Sequence, residues 1–129
     1  MIFLDTSYFI ALFNEKDHFH KRAIEVNEMI RDEDKIISSL VITEVLTVLK
    51  QKKKVKNIAK IKEIYNNILD SCSLIEDFGY YEKATEEYFN NEIGFYDSMY
   101  IVLVRELELD GLVSFDKHFE NRDGIIRIH

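Results

Sequence analysis

Asp5, Glu44, Asp97 and Asp116 are the acids whose neighbours least suit a charge. Asp5 follows Ile2, Phe3 and Leu4 and precedes an apolar run from Tyr8 to Phe13; Glu44 sits in "SLVITEVLTVL", Asp97 in "IGFYDSMYIVLV", and Asp116 ends "LVSFD". An ionised carboxylate in such company is costly unless it is paired or coordinates a metal. Four carboxylates around one crevice would repel each other and raise their pKa values unless cations joined them. The natural cation is Mg²⁺ or Mn²⁺, a hard ion that takes oxygen ligands and keeps several waters. Held this way, it can bind a phosphodiester oxygen, acidify a water and stabilise both oxygens of an in-line displacement.

Such a cluster needs elements that bring distant residues together. Short apolar runs at Ile2–Leu4, "KIIS" (35–38), "CSLIE" (72–76), "LVSF" (112–115) and "IIRI" (125–128) read as five strands. Between them lie helical stretches: Tyr8–Phe13 with Ser7 as cap, a second from an Asp17 cap to about Arg31, Ser39–Lys50, 57–70, 80–90 and 96–108. Ile58, Ile61, Ile64, Tyr65 and Ile68 form the apolar stripe of the fourth, and Gly111 is expected to stop the last. Strands of this buried type separated by helices indicate an α/β domain, a doubly wound parallel sheet covered on both faces. With strand order 3-2-1-4-5 the ligand crevice lies between strands 1 and 4, which end in Asp5 and Asp116. Those two would be neighbours about 5 Å apart, with strand 3 about 10 Å from strand 1. Glu76 and Asp77, at the end of strand 3, are therefore less suited to the cluster. Glu25 and Glu63 fit solvent-facing helix positions.

At 129 residues, with 47% hydrophobic residues, no proline and four glycines, the chain is expected to be one domain, residues 1–129. One cysteine, Cys72, rules out an internal disulfide framework, fits a reducing cytoplasm and is expected to be buried in or beside a strand. No apolar run is long enough for a membrane span. The net charge of −7 argues against polyanion binding, yet seven of the 17 basic residues fall within "KQKKKVKNIAKIK" (50–62) with no acid between them. Lys50, Lys52, Lys53, Lys54 and Lys56 sit at the tip of a helical hairpin and form either a solvated face or a strip for a phosphate backbone. His18 and His20 read as packing or solvent-exposed residues, and His118, two residues from Asp116, is placed to approach a ligand.

Order and spacing together resemble the PIN-domain ribonucleases, most closely the VapC-type toxins of prokaryotic toxin–antitoxin pairs. "FLDTSYFIAL" is similar to the family's opening strand and acid, "ITEVL" to its helical Glu, "YDSMYIVLV" to its third acid, and "LVSFDKHF" to its last acid with a preceding hydroxyl. The resemblance implies a three-layer Rossmann-like PIN domain and a metal-dependent endoribonuclease. Asp5, Asp97 and Asp116 would hold Mg²⁺ or Mn²⁺, and Glu44 would be a ligand or orient the attacking water. Thr6, Ser7 and Ser114 would be supporting hydroxyls. RNA as substrate, a homodimer and a small VapB-like antitoxin as partner are implied in the same way. A non-catalytic PIN module would be marked by lost carboxylates. A receiver-type phosphoacceptor domain needs an acid pair after strand 1, where this chain has one acid.

Overall fold

The computed structural model describes residues Met1–His129. Its sheet has five parallel strands in the order β3-β2-β1-β4-β5: β1 (Ile2–Leu4), β2 (Lys35–Ser38), β3 (Ser73–Ile75), β4 (Gly111–Val113) and β5 (Arg127–Ile128). The connecting helices are α1 (Thr6–Phe13), α2 (His20–Met29), α3 (Ser39–Thr47), α4 (Ile58–Ser71), α5 (Tyr81–Asn90) and α6 (Phe95–Glu106). This is the fold class and strand order that the sequence implies. The β1–β2 and β2–β3 connections step outward from β1 in one direction and the β3–β4 connection returns across the sheet in the other, so right-handed crossovers put α1–α4 on one face and α5 and α6 on the opposite face. β1 and β4 sit at the centre with every residue buried, whereas Ser73 and Leu74 of edge strand β3 are exposed. All of Ser98–Val104 in α6 is buried, which fits an apolar surface on every side of that helix. No helix is long and apolar enough to cross a membrane.

Several local expectations are corrected by the chain's own donors. The cap of α1 is Asp5, not Ser7, because its carboxylate accepts from the Ser7 amide at 3.4 Å and the helix begins at Thr6. Asp17 does not open α2. It accepts from the Phe19 amide at 2.9 Å in a tight turn, and α2 starts at His20. Gly111 lies inside β4; a Cβ there would come within 2.9 Å of the Ile128 side chain and 3.1 Å of the Ile126 carbonyl. The turn after α6 is made by Glu108 at φ +51°. α3 runs into a π-helical turn over Val48–Lys52, and a loop in which Lys54 takes φ +52° then leads to α4. Of the α4 stripe, Ile64 and Ile68 are buried, while Ile58 and Tyr65 reach solvent. Cys72 is only half-buried, at the junction of α4 and β3.

Candidate active site

The four acids arrive at one cleft by four routes. Asp5 is the residue after β1 and the cap of α1. Glu44 lies in α3, Asp97 in the first turn of α6, and Asp116 caps a short 3₁₀ turn over Lys117–Phe119 beyond β4. All four line a cleft of about 420 Å³, together with Thr6, Ser7, Phe19, Lys52, Lys53 and Phe115. The register corrects one detail. Leu4 pairs with Val113, so the residue opposite Asp5 is Ser114, and Asp116 lies two positions farther along.

That offset gives the hydroxyls their work. Ser114 Oγ donates to Asp5 Oδ2 at 2.6 Å and Ser7 Oγ donates to the same oxygen at 2.7 Å. Each serine is held in turn by a backbone amide: Asp116 N–H donates to Ser114 Oγ and Phe115 N–H to Ser7 Oγ, both at 3.0 Å. The hydrogen bonds to Asp5 all fall on Oδ2. Burial raises the Asp5 pKa despite these donors. Thr6 differs from the serines: its buried hydroxyl makes no bond to Asp5 and lies toward Glu44 and Tyr100.

The remaining acids are half-buried and feel each other. Burial pushes the Asp97 carboxyl up to about 6, opposed by His118 and reinforced by the charges of Asp5 and Asp116. Glu44 is also raised, first by burial and then by Asp5 and Asp97, and Tyr100 Oη donates to its Oε1 at a long 3.4 Å. His118 is bound more closely to the acids than its place in the sequence implies: its Nδ1 lies 3.0 Å from Asp97 Oδ2 and 3.4 Å from Asp116 Oδ1. The usable signal was its spacing: Asp116 Oδ1 accepts from the His118 amide at 2.9 Å, and that turn folds the imidazole back over the acids.

The donor set suits a divalent cation. Ligand atoms from Asp97, Asp116 and His118 lie within 4.8 Å of one another, and two of the three are carboxylate oxygens. Asp5 and Glu44 add further carboxylates to the same cleft. The burial and mutual repulsion that raise Asp97 and Glu44 are what a bound cation would offset.

The lysines divide into two groups. Lys52 and Lys53 line the cleft, whereas Lys50, Lys54 and Lys56 surround a separate hollow with Val55 and Ile58. His18 packs edge-on against Phe19, and His20 Nδ1 lies 2.8 Å from the Ala11 carbonyl, so neither joins the acids.

Comparison with curated proteins finds no match. Among solved structures, the fold is similar to VapC20 from Mycobacterium tuberculosis, a sarcin-ricin loop cleaving toxin, with TM-score 0.76 and 21% identity over 90% of each chain. It is also similar to VapBC2 from Rickettsia felis, solved bound to a DNA fragment from their promoter, with TM-score 0.71 and 21% identity. That match covers 99% of this chain and 98% of the other. The family model of the PIN domain matches residues 2–125, from β1 through the segment that leads into β5, and the chain therefore belongs to the PIN domain family.

Proposed function

We propose that the chain is a Mg²⁺- or Mn²⁺-dependent endoribonuclease and the toxin of a type II toxin–antitoxin pair. It would act in the cytoplasm as a single domain, residues 1–129, in a homodimer held in check by a small VapB-like antitoxin. The observation that carries this reading is the gathering of Asp5, Glu44, Asp97 and Asp116 from four separate segments into one cleft of a PIN fold. The likeness to VapC20 and VapBC2 supports the toxin assignment.

Asp5, Asp97 and Asp116 are the proposed ligands, with Glu44 as a further ligand or the group that orients water. A divalent cation bound there supplies Lewis acidity toward a phosphodiester oxygen and makes a water ionisable near neutral pH. Ser7 and Ser114 fix the Asp5 carboxylate by holding Oδ2 from two sides. Glu44, in α3 and in the same cleft as the other three acids, is placed to accept a hydrogen bond from the attacking water and so orient it. Lys52 and Lys53 would hold a flanking phosphate as point charges.

Incubation with structured RNA tests this. Cleavage is expected with Mg²⁺ or Mn²⁺, and is expected to stop with EDTA or in Asp97→Asn. Cutting that persists in both controls would overturn the metal–carboxylate mechanism.

A further inference from the structure

Phe19 is an exposed aromatic in a mainly polar cleft. It is 40% exposed and is one of four apolar residues, with Ile10, Val48 and Phe115, among carboxylates, hydroxyls and lysines. One side of its ring lies parallel to Phe115, with centroids 5.0 Å apart and planes 4° from coplanar, and the ring of its neighbour His18 meets it at 80° with centroids 4.9 Å apart. Phe115 is adjacent to Asp116 in the chain and is tied to the acid network through its N–H bond to Ser7 Oγ. The stack is therefore fixed to the same framework that holds Asp5. Asp17 anchors the other end: its Oδ1 accepts from the Phe19 amide at 2.9 Å, and its Oδ2 lies 3.9 Å from Lys53 Nζ. One carboxylate thus sets the position of both an aromatic platform and a cation inside the cleft.

Building on the ribonuclease reading, we infer that Phe19 stacks an unpaired base of the RNA next to the cleavage point, with Lys52 and Lys53 on the adjoining phosphate. A parallel aromatic pair extends naturally by one more flat ring, and aromatic side chains stack splayed-out bases of single-stranded RNA. A paired base is held within its helix and has no free face to offer. The lysines in the same cleft favour a nucleic acid over an apolar segment of a partner protein. The site consequently selects single-stranded or looped RNA rather than duplex. Phe19 is a binding and positioning residue, and the acids remain the groups at the reacting phosphate.

The test uses the full chain carrying Asp97→Asn, with fluorescein-labelled oligoadenylate of about ten nucleotides as probe and a duplex of equal length as control. Phe19→Leu keeps an apolar side chain but removes the stacking face. It is expected to weaken single-strand binding about 10-fold, with duplex binding and melting temperature unchanged. In the otherwise unaltered enzyme the same change should raise KM and leave kcat nearly constant. Phe19→Trp should restore binding. Because the chain contains no tryptophan, it also supplies a single fluorophore that stacking should quench. Unquenched Trp fluorescence, equal losses on single-strand and duplex probes, or unchanged affinity in Phe19→Leu would overturn the inference. If RNA is still cleaved in that case, the nuclease reading survives without it; if the unaltered protein neither binds nor cuts RNA, both fall.

Discussion

Asp5 and Asp77 are the two aspartates the fold buries most deeply, at 4% and 6% exposure, and both lie just beyond the carboxyl end of a strand. Each accepts a short bond from a serine: Asp5 from Ser114 at 2.6 Å and Asp77 from Ser39 at 2.9 Å. The difference is in what surrounds them. Asp77 Oδ2 also accepts from the Leu40 amide at 3.4 Å, so its partners are the first residues of α3. A helix start offers unpaired amides and the positive end of the macrodipole, which together satisfy a buried carboxylate. Asp5 caps a helix too, yet Glu44, Asp97 and Asp116 share its cleft, and its charge helps to raise both Glu44 and Asp97. A buried acid at a strand end is thus no sign of a site by itself; the accumulation of like charges is.

The largest expected effect separates Asp77 from an acid of the Asp5 cleft by function. Asp116→Asn should lower RNA cleavage by more than about 100-fold, beyond the usual cost of losing a group outside the metal's ligands. Asp77→Ala should leave kcat nearly unchanged while removing a helix cap worth about 1 kcal/mol, seen as a melting temperature lower by a few degrees. Addition of Mg²⁺ or Mn²⁺ should raise the melting temperature of Asp77→Ala and not that of Asp116→Asn. Equal loss of cleavage in both variants would place the β3 acid in the site and remove the contrast.

The next effect is one of pH. Asp97 titrates at about 6 in the fold, against 3.8 as its reference value, so the folded protein holds its proton more tightly than the unfolded chain. For the metal-free protein the resulting stabilisation is complete below about 4 and is lost as pH rises through about 6. Asp97→Asn carries no such charge, and in EDTA it should melt at a higher temperature than the unaltered chain at pH 7.5, with the gap closing toward pH 4. A parallel pH dependence in the two proteins would show that the Asp97 charge is not a burden to the fold.

The strands and the four acids were legible because apolar strands and helices whose apolar residues surround one acid leave strong patterns, whereas the strand order came with the doubly wound class and the family resemblance rather than from any residue pattern. The finer errors share a physical cause: local cues compete with partners that sequence spacing does not show. Ser7 has the type of a cap, but Asp5 takes that place by accepting from the Ser7 amide, and the Ser7 hydroxyl is drawn into the Asp5–Ser114 network instead. Gly111 has the type of a helix stop, but it opens β4, where the Ile126 carbonyl and the Ile128 side chain leave little room for a Cβ. His118 joins the acids through a turn of two residues, too short to leave any periodic signature. Strand order sets Asp77 apart from the four acids, but its role as the partner of α3 depends on a contact 38 residues distant.

The smallest effect concerns the lysines, where close neighbours in sequence again fall inside and outside the cleft. Lys52 and Lys53 share the cleft with Asp5, while Lys50, Lys54 and Lys56 face a different hollow. Each lysine that neutralises a phosphate of a single strand adds about 0.7 to the slope of log affinity against log salt. Replacing Lys52 and Lys53 by Gln should therefore flatten the slope for single-stranded RNA by about 1.4 and weaken binding to all sequences alike. The same change at Lys50, Lys54 and Lys56 should leave the slope nearly as it was. If the second set flattened the slope as much as the first, the whole strip would be tracking the backbone, and proximity to the acids would not be what makes a lysine a ligand contact. A larger effect from Lys52 and Lys53 would extend to basic residues the lesson of Asp5 and Asp77: residue type and local position are shared, and the cleft decides which copy acts.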